Sequence, residues 1–146
     1  MRPSPDFTPP QDAYIHRFEV QPEHIDELGH AGNVTWVQWI NDAAIAHSTS
    51  VGLGPTEYRA LGVVWVVRRH DVEYLWQALV GEQLEAATWV ANLRGATSLR
   101  RTVFTRREDP RVLVRAETTW ALIDIQTTRP RRIPKDLLER YGFSKP

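Results

Sequence analysis

The stretch "HIDELGHAGNVTWVQW", residues 24–39, decides the fold, because a polar loop there runs directly into an aromatic-rich helical pattern. From Asn33 through "INDAAIAHSTSVG", apolar side chains recur near the helical period, at Val37, Ile40, Ala44 and Val51. Gly32 or Asn33 can cap the start of this helix, and Gly52 can end it. The pattern therefore predicts one helix of about 18 residues.

The segments on either side of this helix have the pattern of β-strands. Before it, apolar and polar residues roughly alternate from Ala13 until Pro22. After Gly62, four segments are rich in β-branched and aromatic residues: 63–76, 83–93, 97–107 and 111–126. Their short separators contain the Gly, Asp and Pro typical of hairpin turns, so we expect the four strands to form an antiparallel meander. "PTEYRALG" predicts one further helical turn, and "PKDLLERYGF" a closing helix.

At 146 residues the chain is long enough for one ordinary domain. Four prolines in the first ten residues predict a flexible leader over residues 1–12, followed by a single domain over residues 13–146. Cysteine is absent, which excludes disulfides, thiolate metal sites and a cysteine nucleophile. No apolar run approaches the roughly 20 residues of a membrane span. We therefore expect a cytoplasmic protein without a membrane partner.

Eighteen basic and eighteen acidic residues cancel, so no global field favours nucleic acid or a membrane surface as a partner. The charges are unevenly spread, however, and the segment from Arg94 to Arg132 contains ten arginines and four acidic residues. This excess suits a phosphate-bearing ligand, and it equally suits exposed strand faces that carry arginine for solubility.

Three interpretations of the loop before the helix are open. His24, Asp26 and His30 have metal-ligand chemistry, but their spacing fits no helical face and no further His or Cys cluster lies nearby. Asp26 can instead take part in proton transfer beside a helix start whose free N–H groups hold an oxyanion. The third interpretation is that Asp26 only caps a turn. Spacing disfavours the metal, and the residues alone do not decide between the other two.

The segment "DELGHAGNVTWVQWINDA" resembles the motif of the hotdog-fold acyl-CoA thioesterases of the 4-hydroxybenzoyl-CoA thioesterase family. That motif has an Asp, two residues, Gly-His, then an Asn and an aromatic residue before a helix. It falls in register on Asp26, Gly29, His30, Asn33 and Trp36. The later segments "VVRRHDVEYL", "GEQLEAAT" and "WALIDIQTTRPRRIP" resemble the family's second strand, hairpin and last strand.

The resemblance implies an α+β hotdog fold, in which a five-stranded antiparallel sheet wraps around one long helix. It also implies a homodimer with a continuous sheet and active sites at the subunit interface. The residues point the same way, because one helix covers one sheet face only and leaves a bare strand edge that a second copy can cover. A homotetramer, as a dimer of dimers, is a further option that the sequence leaves open.

By this resemblance the reaction is hydrolysis of an acyl- or aryl-CoA thioester to the free acid and CoA, with no cofactor and no metal. Asp26 would be the general base or the nucleophile, and the backbone N–H at Asn33 would polarise the carbonyl. His30 and the Asn33 side chain would line the site, and Gly29, Gly32 and Trp36 would contact the substrate.

The chain departs from the family pattern in the motif and in the helix. Gly32 stands where many relatives have asparagine, and Trp36 where many have tyrosine. Many relatives carry a glutamate in the helix where this chain has Asn41, so an acid from within the helix is not expected.

For the CoA phosphates we expect Arg94, Arg100 and Arg101 as ligands. Neighbouring strand residues point to opposite faces, so Arg100 and Arg101 cannot both face one groove through a regular strand. One of them should be a surface charge only.

Two other functions fit the same fold. A hotdog acyl-thioester dehydratase would need a histidine paired with a helical carboxylate, and His30 with Asp42 is the pair that this sequence offers. A non-catalytic acyl-CoA-binding hotdog protein would bind the thioester without releasing the thiol. The sequence leaves the acyl group open, both in chain length and between aliphatic and aromatic.

Overall fold

A computed structural model describes residues 6–143 of the chain. Its regular elements are β1 (Tyr14–Glu19), α1 (Asn33–Ser50), α2 (Pro55–Ala60), β2 (Val63–Tyr74), β3 (Gln83–Arg94), β4 (Thr97–Arg106), β5 (Asp109–Asp124) and α3 (Lys135–Arg140). Residues 1–5 of the predicted leader and the last three residues of the predicted domain lie outside the described part. Residues 6–10 form no helix or strand, and the backbone carbonyl of Asp6 accepts a hydrogen bond from Arg101.

The long helix begins and ends where the sequence predicts. Gly32 is the residue before its first turn, and Gly52 follows it with a φ of +81°, a left-handed conformation that glycine adopts without strain. The two short helices predicted after Gly54 and after Pro134 are also confirmed.

The five strands form one antiparallel sheet in the order β1-β3-β4-β5-β2. The predicted four-strand meander is therefore wrong in one pairing. β2 pairs with β5 rather than with β3, and β3 pairs with β1. The connection over residues 75–82 is too long for a tight hairpin turn. Its backbone instead hydrogen-bonds with Val20, Ala31 and Leu113, and the chain passes from β2 at one edge of the sheet to β3, next to the strand at the other edge.

The aromatic face of α1 packs into the sheet and forms the main core. The Trp36 ring lies 4.9 Å from that of Trp39 and 5.1 Å from that of Phe104 on β4, and all three side chains are buried. Ile40 and Ala43 continue the same helix face without solvent exposure. A second core forms around α2 and α3, from Leu53, Tyr58, Val63, Leu93, Leu122, Ile133, Leu137 and Leu138.

Two strands end the sheet, and they differ in length and character. β1 has six residues that alternate between half-buried and exposed. β2 has twelve residues, and its apolar first half leaves Val64 and Val67 exposed. A long apolar edge with free backbone groups is the kind of strand that natural proteins cover.

A buried guanidinium lies between the second half of α1 and the sheet. Arg100 on β4 is only 5 % exposed, and its Nη1 lies 2.9 Å from Nδ1 of His47 on α1 and 3.1 Å from the Thr88 hydroxyl on β3. Its neighbour Arg101 points to the opposite face, where it forms an ion pair with Glu117. The alternation predicted for these two arginines is confirmed.

His47 is held as a neutral imidazole. Burial lowers its pKa to about 4, the Arg100 cation adds to that effect, and Asp12 acts weakly against it. The ring stacks on Tyr14 and meets Tyr141 edge-on, with both ring centroids 5.4 Å away. A neutral His47 can accept a hydrogen bond from Arg100, whereas a protonated one would repel it.

The pH dependence of stability tests this arrangement. In the unfolded chain a histidine takes up its proton near pH 6.5, whereas folded His47 stays neutral down to about pH 4. Between these values the unfolded state binds more protons, so the free energy of unfolding should fall as the pH is lowered. Urea unfolding at pH 7, 5.5 and 4.5 should show a shallower fall for His47→Gln than for the wild type. His16→Gln, which alters a histidine on β1, is the control, and parallel pH profiles for all three proteins would contradict the assignment.

Candidate active site

The loop before α1 is a closed backbone turn. The Asp26 N–H donates to the His30 carbonyl and the Gly29 N–H donates to the Asp26 carbonyl, each over 3.0 Å, while Ile25 and Ala31 form an isolated β-bridge. Gly29 has a φ of +87°, which a residue with a side chain rarely adopts. Gly29 therefore shapes the turn, and it is not among the residues that line the adjoining cavity.

This turn places the Asp26 carboxylate against the start of α1. Oδ1 accepts a hydrogen bond from the Leu28 N–H over 2.8 Å, which fixes the side chain. Oδ2 faces the backbone of Gly32, and a Cβ added at Gly32 would lie 3.2 Å from it. Within residues 6–143, Oδ2 accepts no hydrogen bond. Glycine at this position therefore lets a carboxylate with one free oxygen approach the helix start.

Among residues 6–143, no side chain caps the first turn of α1. Gly32 precedes it and has no side chain to offer, and the first backbone hydrogen bond of the helix runs from the Trp36 N–H to the Gly32 carbonyl over 3.1 Å. The N–H groups of Asn33, Val34 and Thr35 are therefore left for solvent or a ligand. Together with the helix dipole they favour negative charge at this point.

Asp26 and the helix start share one cavity of about 380 Å3. Four of the predicted residues line it with Asp26: His30, Gly32, Asn33 and Trp36. His30 is half-buried and its Nδ1 lies 3.4 Å from the Ala31 carbonyl, whereas Asn33 is exposed. Trp36 is buried and forms an apolar wall. The structure therefore brings together the catalytic residues that the resemblance implies.

The opposite wall of this cavity was not predicted from the sequence. It is the end of β2 and the residues that follow, from Tyr74 to Gln77. The Leu75 and Trp76 N–H groups both donate to the Leu113 carbonyl, and the Arg111 guanidinium lies 4.4 Å from the centre of the Trp76 ring. A signal for this wall is present in the sequence, because the segment "VEYLW" ends in aromatic and apolar residues. Their side chains are exposed in the structure, where polar residues would be more usual.

None of the three predicted arginines lines the Asp26 cavity within one chain. Arg94 is exposed at the end of β3, and Arg101 is engaged with Glu117 on the outer sheet face. Arg100 lines a different cavity.

That second cavity has a volume of about 460 Å3 and lies between the second half of α1, α2 and the sheet, with Tyr141 after α3 in its wall. Its walls are mostly apolar, with one group of hydroxyls: Tyr141 donates to Ser48 over 2.7 Å and lies 3.1 Å from the Tyr58 hydroxyl. Burial raises the pKa of Tyr141, and the nearby Tyr58 adds to this effect. Sequence reasoning assigned no role to this region beyond Arg100.

Two alternatives from the sequence can be compared with these positions. Asp42 accepts a hydrogen bond from Gln38 over 2.9 Å and lines neither cavity, so it is not brought to His30. Among residues 6–143, no group of three or more His, Cys, Asp or Glu side chains is placed to hold a metal ion.

None of the helices described by the structure is long and apolar enough to cross a membrane.

Solved structures of other proteins share this fold. An oleoyl thioesterase (putative) from Lactobacillus plantarum matches with a TM-score of 0.84 and 18 % identity, over 91 % of this chain and 52 % of that one. A 1,4-dihydroxy-2-naphthoyl-CoA thioesterase from Synechocystis matches with a TM-score of 0.83 and 14 % identity, over 92 % and 99 %. A hypothetical protein from Staphylococcus aureus in complex with CoA matches with a TM-score of 0.83 and 16 % identity, over 98 % and 90 %.

At these identities the matches establish the fold, and the predicted hotdog fold is confirmed. A comparison with curated protein sequences gives no match. The family model described as the acyl-ACP thioesterase N-terminal domain matches residues 11–141, which is nearly the whole chain. The predicted thioester hydrolase class is thereby confirmed, and this chain belongs to the acyl-ACP thioesterase N-terminal domain family.

Proposed function

We propose that this protein hydrolyses an acyl- or aryl-CoA thioester to the free acid and CoA, with Asp26 as general base or nucleophile. One observation carries the proposal: a carboxylate with a free oxygen and the uncapped start of an 18-residue helix, at Gly32 and Asn33, line the same cavity. A carboxylate supplies the base or nucleophile of acyl transfer, and a set of free N–H groups supplies the oxyanion site.

In the general-base route, the thioester carbonyl oxygen lies against the first N–H groups of α1. Asp26 takes a proton from water as the water oxygen attacks the carbonyl carbon, and the amides at Asn33 and Val34 stabilise the oxyanion that forms. The C–S bond then breaks, and the thiolate of CoA takes up a proton. In the nucleophilic route, Asp26 Oδ2 attacks the carbonyl carbon, and the C–S bond breaks with release of the CoA thiolate, which takes up a proton. Water then hydrolyses the mixed anhydride to the free acid and the Asp26 carboxylate.

The other predicted residues have supporting roles in this proposal. His30 and the Asn33 side chain lie at the cavity wall, where they orient water or the thioester. Trp36 provides an apolar wall for the acyl group, opposite Trp76. Gly29 and Gly32 act through the backbone, the first by allowing the turn and the second by letting Asp26 approach the helix.

For the CoA phosphates, Arg94 is the best placed of the three predicted arginines. It is exposed at the end of β3, and within the described residues no carboxylate lies within ion-pair distance of it. Arg101 would have to leave Glu117, and Arg100 is buried in an apolar cavity. A solvated, unpaired guanidinium binds a phosphate at the lowest desolvation cost.

We further propose a homodimer that joins two β2 strands across a two-fold axis, as the bare apolar edge favours. In such an antiparallel pairing, the Tyr74 end of one β2 lies beside the Val63 end of its partner. The Asp26 cavity borders on Tyr74 and the second cavity borders on Val63. The catalytic cavity of one protomer would then adjoin the apolar cavity of the other, and a dimer of dimers stays open.

The first test is Asp26→Asn. Loss of the base or nucleophile should lower kcat by about 10²- to 10⁴-fold, while the circular dichroism spectrum and the elution volume stay unchanged. Thiol release is measured over a panel of aliphatic and aryl CoA thioesters, with matching acyl carrier protein thioesters as a second carrier. Glu27→Gln, which neutralises the next acid in the same exposed loop, is the matched control. Full activity in Asp26→Asn would refute the assignment of Asp26.

The second test concerns the edge strand. Val67→Lys places a charge in the middle of β2, and we expect it to convert a dimer, twice the 16.8 kDa of the chain, into a monomer with reduced turnover. Light scattering coupled to size exclusion measures the mass. Ile15→Lys adds the same charge to β1, the other edge, and should leave the dimer intact. A dimer lost only in Ile15→Lys would show that β1 is the interface.

A further inference from the structure

The cavity beneath the second half of α1 is an apolar pocket of small-molecule size that also contains a cation. Its volume is about 460 Å3, within the range of ligand pockets in proteins. The apolar walls come from two helical segments and three strands, and include Leu53, Val63, Trp65, Val90, Leu93 and Ile125. Arg100 lines the same space.

Arg100 has no negative partner in the described part of the chain. Its two hydrogen bonds, to His47 and Thr88, both use Nη1, and both partners are uncharged at neutral pH. No carboxylate of residues 6–143 lies within 4.0 Å of its guanidinium. A guanidinium with 5 % exposure and no counter-ion is costly to bury, and a bound anion removes much of that cost.

A second donor lines the cavity without a partner. The indole Nε1–H of Trp120 on β5 is buried, and no described residue accepts its hydrogen bond. Trp120 pairs with Ser98 across the β4–β5 ladder, and Arg100 pairs with Thr118. Trp120 and Arg100 are therefore diagonal neighbours on the same sheet face. A guanidinium without a counter-ion and an indole N–H without an acceptor call for an anionic acceptor that the described residues do not supply.

We infer that this cavity binds an organic acid, whose carboxylate is held by Arg100 and the Trp120 N–H and whose apolar body fills the remaining space. A carboxylate fits better than a phosphate, because the cavity offers one cation and mostly apolar walls. The hydroxyls of Ser48, Tyr58 and Tyr141 already bond to one another, so they add polarity at one side without competing for the anion.

The carboxylate can come from two sources. One is a free acid, which does not depend on the proposed hydrolysis. The other is the distal carboxylate of an acyl group held as a thioester, and this source rests on the proposed function. Both present the same chemistry to Arg100 and Trp120, so the experiment must separate them.

Calorimetry on the full chain with decanoate and decanol tests the binding itself. Decanoate should bind more tightly than decanol to the wild type. In Arg100→Met its affinity should fall about tenfold or more, and in Trp120→Phe by several-fold, while decanol binding stays unchanged. Arg17→Met and Trp89→Phe repeat these changes on the outer sheet face and should bind decanoate as the wild type does.

Arg100→Met should fold, because replacing a buried charge with an apolar side chain of similar length is often neutral or stabilising. Urea unfolding checks this, and Arg100→Lys, which keeps the charge, should retain a preference for decanoate over decanol. Equal affinities for decanoate and decanol in the wild type, or wild-type decanoate affinity in Arg100→Met, would overturn the inference.

Turnover separates the two sources. If the distal carboxylate of a substrate occupies the cavity, the ratio of kcat/KM for ω-carboxydecanoyl-CoA to that for decanoyl-CoA should fall about tenfold in Arg100→Met. An unchanged ratio with Arg100-dependent decanoate binding assigns the cavity to free acids. Asp26→Asn should lose turnover and keep decanoate binding, so a failure of the proposed hydrolysis and a failure of this inference give different results.

Discussion

The packing of the aromatic face of α1 against the sheet is the contact on which the rest of the molecule depends. Trp36 meets both Trp39 and Phe104 edge-on in a core with almost no solvent exposure. Each buried aromatic side chain of this kind stabilises the fold by roughly 1.5–3 kcal/mol. Because these rings fix how far the helix extends along the sheet, they also fix where its first turn lies relative to the end of β2.

That position makes the helix start useful for chemistry. A helix that begins without a side-chain cap leaves three amides free, and the turn over residues 26–29 holds a carboxylate next to them. A carboxylate and a helix N-terminus attract each other, so this arrangement is electrostatically favourable as well as reactive. Gly32 permits the close approach, since any side chain there would meet Asp26. The same glycine that departs from the family motif therefore has a steric reason in this chain.

The second half of α1 covers a pocket that contains the buried guanidinium of Arg100. This guanidinium hydrogen-bonds to His47, which burial keeps neutral. If position 100 served stability only, we would expect a carboxylate beside Arg100 or an apolar residue in its place. The described structure places no carboxylate next to Arg100, and it also leaves the Trp120 N–H in the same pocket without an acceptor. A cation without a counter-ion and a buried N–H without an acceptor are most simply explained by an anionic ligand that completes them.

The local sequence pattern was sufficient to predict the helices and strands and the Asp26 side of the candidate active site. Glycine, proline and apolar periodicity determine where helices and strands begin and end, because these effects act over a few residues. The Asp26 to Trp36 segment is continuous in sequence, so its loop and helix start could be predicted together.

The partner of β2 in the sheet, β3 or β5, could not be predicted from local pattern. A strand carries its pairing groups on both edges, and the 75–82 connection decides which edge is used. The wall from Tyr74 to Gln77 and the pairing of Arg100 with His47 join residues that are distant in the chain. Only the tertiary structure brings them together, because their contacts depend on the crossing of helix and sheet rather than on local spacing.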